Sequence, residues 1–517
     1  MRPKRIPHIR QGKNPSHLFI LALLALFSLA ARAQTITTTT VHAGIGVTTY
    51  TDIGFVSDSG LSTSQAIVNG NPAISYRNYP QMSLMFARNT TATGSGTWIT
   101  TTVSNIANVG AYSSLAIVNG NPAISYFDDT TDVLKYVRAL NANGTSWGTP
   151  VTVDNQTRVG RFTSLVVVNG NPAIAYLGQN DGGIRFVRAT NANGTGWGTP
   201  IYVDNALTLG PSSPSLAIVN GNPAICHLAQ PYGDLLYVRA NNANGTSWGT
   251  SRQLTTFNIA SYPPGFATSL VVVNGNPAVA YYDRWVGIRY MRALDVNGTS
   301  WDTGTVLDTA QPYGIWASLK VVNGNPAVSY FGVNEGDLKY VRALDASGTN
   351  WSLPMTVDSA GNVGAGTSLA VVNGNAAISY SDLTTGDLKW ATLTYTPQEN
   401  WRQLHFGTTG NSGDAADGFD FDKDGLANLV EFAFALSPKV PDLTLLPQLQ
   451  LAGGTVSYSF TEPVGMSGIT YGAEWSATLL PGSWTPIADT GVAPGHTFNV
   501  PEGSGEKVFV RLVVTAP

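Results

Sequence analysis

Short apolar runs separated by tight polar turns recur along the chain with a fixed period, most legibly in residues 114–154. Residues 114–118 (Ser-Leu-Ala-Ile-Val) read as a short strand. Asn119-Gly120 follows, a strong hairpin pair because both central positions of that turn need positive φ. Residues 122–126 (Pro-Ala-Ile-Ser-Tyr), 133–140 and 147–153 supply a second, third and fourth strand. The string Asn-Gly-Asn begins at Asn69, Asn119, Asn169, Asn220, Asn274, Asn323 and Asn373, at spacings of 49 to 54 residues.

Four short strands per unit of about 50 residues is the pattern of a propeller blade. The first three strands occur in seven copies. A fourth strand opening with Trp occurs in six, at Trp98, Trp147, Trp197, Trp248, Trp301 and Trp351. The missing strand is expected at the other end of the chain, since residues 36–41 (Ile-Thr-Thr-Thr-Thr-Val) match residues 99–103 (Ile-Thr-Thr-Thr-Val). An N-terminal strand that completes the last blade removes an exposed sheet edge. The expectation is an all-β fold: a seven-bladed β-propeller over residues 34–395. Beyond it, residues 399–406 and 426–436 read as helices in a 396–440 segment. Alternating stretches such as 456–460 and 507–514 predict a small β-sandwich-like module over 441–517.

Composition narrows the picture. Only 12% of the 517 residues are charged, against about a quarter in an average protein, and Gly, Thr, Asn and Val are plentiful. One Cys excludes a disulfide framework and a Cys-based zinc site. Nothing is basic enough for a nucleic-acid partner. The first 33 residues combine a basic start, an apolar run over 18–30 and Ala31-Arg32-Ala33, the plan of a secretory signal peptide. The run is too short to span a bilayer. The mature chain is therefore expected outside the cell or on its surface, as a monomer without a membrane span, with a glycan or an extracellular protein as partner. It carries 22 basic and 32 acidic residues.

Between the third and fourth strands stand the heptapeptides 141–147 (Asn-Ala-Asn-Gly-Thr-Ser-Trp), 295–301 (Asp-Val-Asn-Gly-Thr-Ser-Trp) and 345–351 (Asp-Ala-Ser-Gly-Thr-Asn-Trp). These resemble the Asp-box turn of sialidase-like (BNR) propellers, with one more residue between the Asp or Asn and the Trp. The resemblance implies a propeller over about 360 residues. In that family the box is structural, so it implies no substrate.

A residue present in every copy serves the blade. The third-strand arginines Arg88, Arg138, Arg188, Arg239, Arg292 and Arg342 are accordingly expected to bond loop carbonyls rather than to form a sialidase-like arginine triad. Ligand contacts are expected where copies differ, on the face opposite the Asn-Gly turns. That face carries Tyr79, Phe127, Asp128, Tyr232, Asp283, Trp285, Trp316, Phe331 and Glu335, together with Tyr112 and Phe162. Aromatic rings with scattered polar groups suit sugars or peptides. No local motif nominates the carboxylate pair of a glycosidase, so a non-catalytic binding propeller is the first reading. A sialidase-like glycoside hydrolase or lyase is the alternative, and a surface-displayed spacer a second. Cys226 and His227 are neighbours in a strand, point to opposite faces and cannot form a dyad.

The sharpest motif is residues 420–431 (Asp-Phe-Asp-Lys-Asp-Gly-Leu-Ala-Asn-Leu-Val-Glu), which match the EF-hand loop pattern. Asp420, Asp422, Asp424, the Leu426 carbonyl, Asn428 and Glu431 are the expected Ca2+ ligands, and Gly425 the turn. The loop looks like those of dockerin-type extracellular calcium modules. Asp414 and Asp417 are expected to extend the acidic cluster.

Overall fold

The computed structural model describes residues 35–44, 62–178, 183–204, 213–229, 233–255, 267–283, 286–309, 314–406, 409–452, 455–464, 468–501 and 508–516. The proposed signal peptide, Tyr232 and Trp285 lie outside the described residues. Residues 34–394 pack as one compact unit and the residues from 395 onward as another.

Among the described residues the first unit contains seven four-stranded antiparallel sheets. In the second repeat the strands are Val109–Val118, Asn121–Asp128, Val133–Arg138 and Val151–Asp154. Asn119 and Gly120 have φ of 45° and 80°, as their hairpin requires. All seven turn asparagines lie between 43° and 49°. The second strands are buried at nearly every position, which is why they read as continuous apolar runs rather than alternating ones.

The first strand of each sheet touches the first strand of the next. That of the last sheet, Val363–Val372, touches Ser64–Val68 of the first. Sheets succeeding one another around an axis in this way form a β-propeller. Thr35–His42 pairs antiparallel with Asp387–Thr394, so the fourth strand of the last sheet comes from the N-terminal side of the chain.

The fourth strands are shorter than the pattern implies. Trp147 makes only an isolated bridge to Ala139, and the ladder resumes at Val151. Pro150, Pro200 and Pro354 lie in this gap in three repeats, and proline has no N–H to donate to a ladder. The fourth and fifth repeats are interrupted in the same way without a proline, and only in the first repeat does the strand, Trp98–Ser104, run unbroken from its Trp.

The second unit opens with helix α1 (Pro397–Phe406). Proline suits its first turn. Thr396 and Glu399 form a reciprocal capping box: the Thr396 N–H donates to Glu399 Oε2 and the Glu399 N–H to Thr396 Oγ1. Helix α2 (Asn428–Ala433) is shorter than the 426–436 expected, because Ala435 has φ of 54° and ends it. Two three-stranded sheets follow. Tyr458, Tyr471, Phe498, Val510 and Leu512 build their core together with Leu429 and Ala433 of α2. Among the described residues no helix is long and apolar enough to cross a membrane.

Candidate functional site

On the Asn-Gly face the polar groups hold the ring together. Arg138 donates from Nε to the Val118 carbonyl at 2.8 Å and from Nη2 to the Asn119 carbonyl at 2.6 Å. Arg88, Arg188, Arg239, Arg292 and Arg342 repeat this on their own hairpins. The arginines serve the turns, as their repetition implied. Asn119 reaches across to the neighbouring sheet, donating from Nδ2 to Asn193 Oδ1 in the heptapeptide turn of the following repeat at 2.7 Å. That turn is itself closed by Asn191, which accepts from the Asn193 and Thr195 N–H groups, and by Trp197, whose Nε1 donates to Gly194. Its Trp then stands edge-on to Tyr136 of the preceding repeat at 5.1 Å. Trp98 and Trp390 make the same contact between the first and last repeats, at 5.3 Å.

The opposite face is organised around the axis. A cavity of about 190 Å3 is lined by three consecutive residues from each of the seven repeats, lying in the first strand or just ahead of it, from Ser62-Thr63-Ser64 to Gly366-Thr367-Ser368. The last residue of each triplet is a serine. Ser64 Oγ accepts from the Leu115 N–H, Ser114 from Leu165, Ser164 from Leu216, Ser215 from Leu270, Ser269 from Leu319 and Ser318 from Leu369, all at 2.9–3.0 Å. Ser368 closes the circle by accepting from Gln65 at 3.3 Å. These serines recur in every repeat, but only the structure shows that they link neighbouring sheets.

Three of the seven triplets begin with an aromatic residue at positive φ: Tyr112 (55°), Phe162 (53°) and Trp316 (54°). Each stands where the register of its strand shifts against the partner strand. Tyr112 and Phe162 lie 4.3 Å apart, and Trp316 lies 5.7 Å from Phe331.

Several residues expected to meet a ligand are instead support. Phe127 and Phe331 are buried, the former packed under Tyr112 and Phe162 with the Arg161 guanidinium over its ring. Asp128 is buried and accepts the Thr130 and Thr131 N–H groups. Asp283 is buried in an ion pair with Arg289 at 3.1 Å. Tyr79 is half-buried and packs with Trp316 on Ala365 and Leu383. Glu335 is ion-paired to Lys339. Cys226 is fully buried, and burial pushes its thiol far up. His227 replaces the tyrosine of other repeats and keeps its role: its Nε2 meets Asp204 at 3.1 Å, where Tyr176 meets Asp154 at 2.7 Å.

In the second unit, one carboxylate oxygen from each of Asp420, Asp422 and Asp424 falls within 4.8 Å of the others. Gly425 has φ of 101°, which an L side chain rarely adopts, and its N–H donates to Asp420. Glu431, on α2, is 1% exposed and neither carboxylate oxygen has a hydrogen-bond partner. Burial, then the charges of Asp422, Asp424, Asp442 and Asp420, push its carboxyl up to about 8. An acid left this way costs stability unless a cation meets it. Asn428 Nδ2 donates to the Asp414 and Ala416 carbonyls, fastening the preceding turn, and its Oδ1, the atom expected to face the cation, is buried without a hydrogen-bond partner. Asp417 does not join the cluster, because Arg402, Gln398 and Asn411 hold it. The residue that the twelve-residue pattern could not flag is Asp442. It is buried, its Oδ1 has no hydrogen-bond partner, and its N–H donates to Asp424 Oδ2 at 2.8 Å.

No family model and no curated protein matches the chain. Among solved structures, the Aleuria aurantia lectin, a six-bladed β-propeller with a fucose recognition mode, is 16% identical. The match covers 58% of this chain and 95% of the lectin, with a TM-score of 0.37. An AofleA mutant from Arthrobotrys oligospora is 13% identical over 65% of this chain and 93% of its own, with a TM-score of 0.39. YCF48 bound to D1 peptide is 12% identical over 72% and 98%, with a TM-score of 0.43. At such identities and scores nothing about ligand or activity transfers to this chain.

Proposed function

We propose that the chain is an exported, non-catalytic binding protein: a closed seven-bladed propeller that takes a glycan on the face opposite its Asn-Gly turns. One observation carries this reading. The turn face spends its recurring polar groups on bonds between and within sheets, whereas the other face is where the repeats differ and where the axial cavity opens. Its described carboxylates at 128, 283 and 335 are held by backbone N–H groups or by cations, which favours binding over hydrolysis. A glycan array probed with the purified chain tests the reading. Retention of glycans without release of sugar supports it; turnover of a glycoside, with no retention, overturns it.

The second unit is proposed to hold one structural Ca2+. Asp420, Asp422, Asp424 and Glu431 would bind it through carboxylates, Asn428 through Oδ1 and Leu426 through its carbonyl, with Asp442 an added acidic partner. The support is Glu431, whose buried and unpartnered carboxylate fits a divalent cation and little else. Bound calcium would offset the repulsion among five clustered carboxylates and fix α2 beneath the two sheets. Calorimetric titration of the full chain should give one Ca2+ per chain and a raised melting temperature, both abolished by Glu431→Ala and reduced by Asp442→Asn. Identical melting with calcium and with EDTA would rule the site out.

A further inference from the structure

We infer that the ligand site of the ring is the axial cavity itself, and that it takes the terminal residue of a neutral glycan, one saccharide ring between aromatic walls above a circle of hydroxyls. This rests on the glycan-binding reading above and narrows it. Volume and chemistry decide the ligand class. The cavity, about 190 Å3, is smaller than the roughly 300 Å3 at which drug-sized sites begin. Its 21 lining residues are Ser, Thr, Ala, Gly, Pro, Tyr, Phe and Trp, without one ionisable acid or base. A phosphate, a sulfate or an acidic sugar would be desolvated there with no cation to meet it. Its lining also has no carboxylate with which to cleave a glycosidic bond.

The floor is polar in a directed way. Each serine of the circle accepts an N–H from the adjacent sheet, so its position is held while its own O–H hydrogen remains available to donate. A sugar hydroxyl entering the cavity meets donors from several sheets at once.

The walls are costly, and the cost points to a ligand. A bulky residue at positive φ is strained by about 1–3 kcal/mol. The seventh repeat has Gly366 at the same place with φ of 59°, where no such strain arises. The first, fourth and fifth repeats carry Ser62, Ser213 and Ala267 at the head of the triplet. Aromatic rings thus occupy three strained positions that glycine would fill without penalty, and a shift of strand register there re-aims the side chain. Their order around the ring is not random. Tyr112 and Phe162 stand on adjacent sheets, the second and third, and Trp316 stands on the sixth, across the axis. Tyr112 is buried and backs Phe162, so the half-buried Phe162 and Trp316 present the rings. Small residues separate the two walls on both sides. The result is a slot with apolar faces and a hydroxylated floor. A pyranose ring has matching chemistry: apolar C–H faces and a rim of hydroxyls.

The test is calorimetric titration of the full chain with L-fucose, D-galactose, D-glucose, D-mannose, N-acetylglucosamine, N-acetylneuraminic acid and glucuronic acid. A neutral sugar should bind at one per chain, and the two acids should not. Trp316→Ala and Phe162→Ala should each weaken binding by about tenfold, with Trp316→Phe within about threefold of the parent. Ala267→Trp fills the slot from its small side without removing a packed ring, and should abolish binding in a chain whose melting temperature is near the parent's. Array binding that survives Ala267→Trp and Trp316→Ala, several sugars per chain, or preference for an acidic sugar would overturn the axial site and leave the glycan reading standing. A parent chain that binds no glycan on the array and no sugar in the panel overturns both.

Discussion

The two faces of the ring are built from the same repeats and yet differ in what their polar groups do. On the turn face, a residue type that recurs meets the same partner each time: arginine meets hairpin carbonyls, and Asn119, Asn169 and Asn220 meet the heptapeptide turn of the following repeat. On the cavity face, the serine circle recurs and the hydroxyl residue before it recurs in most repeats, whereas the residue at the head of each triplet varies from glycine to tryptophan. The difference teaches that repetition marks scaffold and its breakdown marks a site. Recurrent chemistry, however suggestive, is consumed by the fold.

The comparison can be broken most severely by filling a contact on the turn face. A Cβ on Gly245 would lie 2.6 Å from the Phe186 ring, at φ of 68°. Gly245→Ala should cost about 3 kcal/mol or more and lower the melting temperature by about 4 °C or more. Gly221 has nothing within 4 Å of its Cβ position, at φ of 79°. Gly221→Ala should therefore lose only the backbone term, about 1 kcal/mol. Equal losses in a calorimetric melt would show that packing between repeats is not what the heptapeptide turn provides.

A smaller effect is expected from Arg239→Ala, which removes hydrogen bonds at 2.9 and 2.7 Å to the Val219 and Asn220 carbonyls. The loss should be about 1–2 kcal/mol in denaturant unfolding. No loss would mean that the arginines are free for another task.

The smallest lies in the second unit, at His496, which contacts Asp489 at 2.6 Å and Glu462 at 2.9 Å. Burial lowers the imidazole pKa, but the bonds and charges of the two carboxylates prevail and raise it above 6.5. A raised folded value stabilises fully below 6.5, and that contribution disappears as pH rises through the folded value. The melting temperature of this unit should fall modestly over that range, and His496→Gln should flatten the fall. A profile unchanged by the substitution would remove the histidine from the account.

Much of this architecture is legible in the sequence because it is local. Asn-Gly dictates a hairpin, strand period dictates burial, and the match between residues 36–41 and 99–103 announces that distant strands are equivalent. What escapes is whatever depends on juxtaposition across repeats. Phe127 and Phe331 have the composition of ligand contacts, but their strands carry them beneath other rings. The serine circle looks like a small-residue habit until its N–H partners are seen one sheet away. Positive φ at Tyr112, Phe162 and Trp316 violates local preference, so no propensity argument finds it. In the acidic loop, spacing nominates Asp420, Asp422, Asp424, Asn428 and Glu431, yet Asp442 enters from outside the twelve-residue window.

The most direct test of the division between faces is one paired measurement: melting temperature and neutral-sugar affinity for Arg239→Ala and Trp316→Ala, side by side with the parent. Arg239→Ala should melt lower and bind with unchanged affinity, whereas Trp316→Ala should lose about tenfold in affinity with the smaller change in melting. Loss of affinity in the arginine variant alone, at an unaltered melting temperature, would place the site on the turn face and contradict the account.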